Sequence, residues 1–170
     1  AGRQLGAGDK EGANTTISTV IALSVGIGAV LCIGGIASME PLLRAFGASD
    51  AVLPQAKQYA LWMFVAALAN LPAQSMNCAA RAESSSRISS IAVITGAALN
   101  VVLDPIFMFE WGFNLGVQGA SIATTVSQFV TFFILVWFYA SGRSIIKIRS
   151  RRIRFNWKLI GSVTAIGIPT

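Results

Sequence analysis

The chain has 170 residues, 12% of them charged and 54% hydrophobic, with a mean hydropathy of +0.66. Charged residues are about half as frequent as in a soluble domain, too few to cover a fold of this size, and the same composition excludes disorder, collagen, coiled coil and a disulfide scaffold. The net charge of +6 does not point to nucleic acid, because 7 of the 13 Lys and Arg residues crowd into 143–158, and the absence of histidine removes imidazole metal sites and Ser-His-Asp or Cys-His chemistry.

An integral membrane protein remains, and crossing about 30 Å of hydrocarbon takes about 20 helical residues. The polar start gives way to charge-free 12–39, which predicts a helix near 16–39. A loop over 41–54, with Arg44 and Asp50, leads to charge-free 58–80 and a helix near 55–80. After the short 81–87 connection a helix is predicted near 86–109, interrupted by one charge, Asp104. The connection 110–116 precedes charge-free 111–142 and a helix near 117–141. A basic linker over 143–158 and an apolar run over 159–170, the start of another span, complete the chain. Lacking an initiator Met and ending within an apolar run, the chain reads as a piece cut from a longer protein. None of the spans alternates like a barrel strand, so the fold class is an all-α polytopic membrane helix bundle. Cys32 and Cys78 lie in apolar runs without CxxC spacing and read as packing residues.

Placing alternate connections on opposite sides gathers 11 of the 13 basic residues on one side, which the positive-inside rule makes cytoplasmic. Tyr59 and Trp62, Phe109, Trp111 and Phe113, and Trp137 and Tyr139 fall at the expected membrane boundaries. The basic linker reads first as a solvated segment that fixes topology, and second as a surface for anionic headgroups.

A carboxylate inside a lipid-spanning run is costly, which makes Asp104 the most informative residue. Asn100 lies one turn earlier on the same face, above Gly96 and Ala92, and Pro105 deprives the Val101 carbonyl of its helical donor. Carboxylate, amide and freed carbonyl are hard oxygen donors, suited to a proton or a small cation such as sodium. The next helix carries Ser121, Thr124, Gln128 and Thr131 as one polar stripe. A rise of about 1.5 Å per residue sets Thr124 and Asp104 at similar depth across a short hairpin, within reach of each other. Asn70, Gln74 and Asn77 surround Pro72 on the second span, where they line a water-filled path or bridge helices. Against the site reading stands a packing role for Asp104 and back-bonding for the hydroxyls.

The stretches RQLGAGDKEGAN, LLRAFGASDAVLPQAKQY, LNVVLDPIFMF and GVQGASIATTVSQ give the chain a resemblance to the multidrug and toxic compound extrusion (MATE) transporters. The resemblance implies a twelve-helix transporter of two six-helix lobes, with four transmembrane helices of the amino-terminal lobe (1–142), the inter-lobe linker and the start of helix seven present here. In part of that family an Asp on helix five, an Asn four before it and a Thr on helix six join an Asp from helix one in a proton or sodium site; these correspond to Asp104, Asn100 and Thr124. After Arg81 the family usually carries a Gly and an acidic or polar turn, whereas this chain has Glu83 and Ser84 to Ser86. The implied function is a secondary antiporter in the plasma membrane that exports small cationic or amphipathic compounds, with Asn70, Gln74, Asn77, Ser121 and Gln128 lining its cavity. No organic cofactor or nucleic acid is implied; the partners are the substrate, membrane lipid, the missing helices and the second lobe. Rival readings are a lipid-linked precursor flippase, which needs basic residues in the cavity, and a structural membrane subunit. An enzyme is disfavoured by a lone carboxylate without His, Ser/Lys pair or second acid.

Overall fold

A computed structural model describes residues 4, 6–110 and 112–144. The linker beyond Ser144 and the run 159–170 lie outside the described residues. Among the described residues five helices follow in order: α1 (Lys10–Ala37), α2 (Met39–Ala45), α3 (Leu53–Ala82), α4 (Ser86–Met108) and α5 (Val117–Ala140). There is no strand among the described residues.

α1 begins six residues before the expected start, because Asp9 caps it: the Gly12 N–H donates to Asp9 Oδ1 at 2.8 Å, and Glu11 lies in the first turn. The expected 41–54 loop begins instead with the tail of a short exposed helix, α2, in which Pro41 occupies the first turn, where a missing N–H is harmless. Gly47, at φ 90°, ends this segment, and its N–H donates to the Arg44 carbonyl. Arg44 bridges Glu40 (3.3 Å) and Asp50 (2.9 Å), while Lys57 at the start of α3 also donates to Glu40, tying α2 to α3. The Lys57 hydrogen bond, and after it Arg44, hold the exposed Glu40 carboxyl below its ordinary value.

α1, α4 and α5 are long and apolar enough to cross a membrane. α3 is the longest helix, at 30 residues, and its lower apolarity comes from Asn70, Gln74, Asn77 and other polar side chains. α5 packs against both α3 and α4, α3 packs against α1, and α3 meets α4 far less than either meets α5. Close approach relies on missing side chains: a Cβ at Gly119 would strike the Phe107 carbonyl, and one at Gly35 the Phe64 ring. A buried cluster including Ile17, Met76, Ala92, Leu135 and Phe138 joins α1, α3, α4 and α5 at the end that carries the 83–85 turn. There the Tyr139 hydroxyl donates to the Met76 carbonyl at 3.1 Å.

At the opposite end the α4–α5 hairpin folds back on its own helix. The N–H groups of Phe109, Phe113, Leu115 and Gly116 donate to the carbonyls of Pro105, Ile106, Phe107 and Met108, so the last four carbonyls of α4 are satisfied. α4 therefore continues through Pro105 to Met108. That holds Asp104 within the final turns of a fixed helix.

Candidate functional site

Asn100 and Asp104 stand one turn apart on α4, and Thr124 faces them from α5. The Asn100 Nδ2 group donates to Asp104 Oδ1 at 3.4 Å and to Thr124 Oγ1 at 3.3 Å. Thr124 thus meets the amide and not, as its depth suggested, the carboxylate. The small residues of the hairpin explain the approach, since Gly119 lies directly against the backbone of Phe107. All three polar side chains are half-buried.

Below this group a cavity of about 220 Å³ opens between α3, α4 and α5. It occupies the space that the weak meeting of α3 and α4 leaves. Asn70, Gln74 and Asn77 border it from α3 and Gln128 from α5; Asn100 and Thr124 form part of the same wall. Asp104 is not in that lining and sits one turn beyond it. No charged side chain lines the cavity among the described residues.

Ser121 departs from its expected place. It is fully buried, its hydroxyl donates to the Gln118 carbonyl at 2.8 Å, and it lies one turn from Thr125, whose hydroxyl reaches the Trp62 carbonyl at 2.9 Å. Its end of the polar stripe faces α3 and takes part in helix packing.

Sequence reasoning missed Ser127 and the seal of the cavity. Ser127 borders the cavity, is 4% exposed, and its hydroxyl has no hydrogen-bond partner. Its spacing from Thr124 and Thr131 was the available signal. Gly96 faces it: a Cβ there would collide with Thr131 Oγ1 and come within 3.3 Å of the Ser127 carbonyl. Toward the 83–85 turn, the Ser89 hydroxyl donates to Asn77 Oδ1 at 2.9 Å and accepts from Arg81 Nη1 at 3.3 Å. Because arginine only donates, this chain has one direction, and it fixes the orientation of the Asn77 amide.

Among the described residues no group of three or more His, Cys, Asp or Glu side chains comes together. Toward Asp104 and Thr124 the Asn100 amide presents its nitrogen, so the hard oxygens at this place are the Asp104 carboxylate and the Thr124 hydroxyl, with the amide oxygen turned elsewhere.

The MatE family model matches residues 1–106. The chain is 25% identical over 167 residues to the multidrug export protein MepA of Staphylococcus aureus (strain bovine RF122 / ET3-1), a match that covers 98% of this chain and 37% of that protein. A shorter match, 50% identical over 46 residues, links 27% of the chain to 8% of protein DETOXIFICATION 44, chloroplastic, of Arabidopsis thaliana. Among solved structures, the outward-facing conformation of a multidrug resistance MATE family transporter of the MOP superfamily aligns with a TM-score of 0.90 at 28% identity, over 98% of this chain and 37% of that one. The inward-facing conformation aligns with a TM-score of 0.88 at 28% identity, over 97% and 37%. The chain thus spans about 37% of the length of the curated relatives first matched.

Proposed function

The chain belongs to the MatE family of membrane proteins, and on that footing we propose that it supplies part of one lobe of a secondary antiporter. The transporter exports small cationic or amphipathic compounds across the plasma membrane in exchange for protons or sodium. Asp104, Asn100 and Thr124 take the coupling ion, and the amide-lined cavity beside them takes part of the exported compound. The 81–87 turn and the basic linker face the cytoplasm.

The observation that carries this reading is the contact of Asn100 with both Asp104 and Thr124 at the edge of the cavity. An intramembrane carboxylate bonded to an amide that also borders a polar cavity is placed for exchange with what enters that cavity. The flippase alternative calls for basic side chains to hold a pyrophosphate, and the uncharged lining works against it. The likeness to both inward- and outward-facing structures agrees with lobes that rock as units around a fixed site.

The test is gradient-driven export by the full transporter in proteoliposomes. Asp104→Asn is expected to insert normally and to lose export. Export against a gradient at the unaltered rate would return Asp104 to a packing role.

A further inference from the structure

The Asn100 amide has two sides, and the site uses them unequally. Its Nδ2 faces both Asp104 Oδ1, at 3.4 Å, and Thr124 Oγ1, at 3.3 Å, while its Oδ1 takes no hydrogen bond from the described residues on a side chain that borders the cavity. A second group on the same wall also awaits a partner: the Ser127 hydroxyl, one turn along α5 from Thr124, is buried and unbonded. Asn77 offers the contrast. Its amide orientation is set by Ser89 and Arg81, outside the cavity, and nothing that enters the ion site bears on it.

We propose that Asn100 is a two-position coupler whose amide is shared between the coupling ion and the exported compound. Without the ion, Nδ2 serves Asp104 and Thr124, and Oδ1 accepts from an N–H donor of the compound. A cation delivered to Asp104 needs oxygen atoms around it, so the amide must turn and present Oδ1 where Nδ2 stood. The same rotation brings an N–H group to face the compound's own N–H donor, two donors without an acceptor between them, and the compound is released. This inference rests on the ion-coupled export proposed above and adds a substrate class, compounds that carry an N–H donor such as a protonated primary or secondary amine. It also supplies a route for exchange that needs no direct contact between ion and compound. The cavity lining holds no titratable side chain that competes with Asp104 for this role.

The test compares two probes of equal charge on the purified full transporter: a biphenyl bearing a methylammonium group and its trimethylammonium counterpart, which lacks N–H. Binding of each is measured by equilibrium dialysis as sodium is raised at constant ionic strength and, separately, as pH is lowered. Both probes feel the added charge, but only the first forms the hydrogen bond to Oδ1. Its affinity is expected to fall roughly tenfold more than that of the trimethyl probe under at least one of the two cations, the weight of about one hydrogen bond to a charged donor. In Asn100→Ala that excess disappears, and in Thr124→Val, which frees one Nδ2 proton and loosens the preference, it shrinks. Equal losses for the two probes in the unaltered protein, or an excess that survives Asn100→Ala, would overturn the coupler while leaving ion-coupled export intact. Failure of both probes to bind the unaltered protein would overturn the coupler and the cavity's role together.

Discussion

Asp104, Asn100 and Gly96 occupy successive turns of one face of α4 and bear on function in different ways. On the proposed ion coupling Asp104 carries the charge, so Asp104→Asn preserves shape while removing what exchanges. On the same proposal Asn100 assists the carboxylate, and Asn100→Ala is expected to lower the rate of coupled export by about tenfold, short of abolition, because the carboxylate remains. Flux assays of the two variants side by side check this order, and an equal loss in both would contradict it. Gly96 acts through space. Gly96→Val drives a side chain into Thr131 Oγ1 and the Ser127 carbonyl and forces α4 away from α5, at a cost of about 1–3 kcal/mol. Thermal unfolding in detergent should show a lowered midpoint for this variant, and an unchanged midpoint would mean that the helices accommodate it. The carboxylate and its amide were legible in the sequence because a charge in an apolar run stands out and four residues make one helical turn. Ser127 was not, since one hydroxyl among several on α5 looks like any other that bonds back to its own helix until its missing partner is seen.

Helices were easier to read from sequence than their ends. Charge-free runs located four long helices within a few residues, but the start of α1 depends on a single capping contact from Asp9, which lies in a polar stretch that reads as loop. α2 escaped notice because a proline, a glycine and charged residues crowd its neighbourhood, although proline is compatible with a first turn. The ion pairs of α2 make a pH prediction. Glu40 is held below its ordinary value of 4.5 by Lys57 first and Arg44 second, so the stabilisation it contributes is present above that value and is lost as pH falls through the depressed folded-state value. Melting curves of the full transporter below about pH 4.5 should therefore slope less steeply in Glu40→Gln than in the unaltered protein. Parallel curves would mean that solvent screens the network completely, since these side chains are largely exposed.

For the molecule as a whole, the proposed orientation rests on charge: were 11 of the 13 basic residues cytoplasmic, as proposed, a membrane-impermeant thiol reagent applied to intact cells would label a cysteine placed at Ser49 but not one at Ser150. The opposite pattern would invert the topology. The 170-residue chain alone is expected to show no ion-coupled flux in liposomes, because alternating access takes two lobes; measurable flux would refute that. The middle position of α5 bears on how such a protein is made. α3 and α4 barely meet, so the polar cavity between them gains its third wall only from the last of the three helices to leave the ribosome. Until Val117–Ala140 has been synthesised, the amides of α3 and α4 meet translocon or lipid, with the Ser89–Asn77 hydrogen bond clipping the pair at one end. A chain ending near residue 116 would leave a hairpin with its hydrogen-bonding groups exposed to hydrocarbon, the kind of product that insertion chaperones shelter and membrane proteases remove.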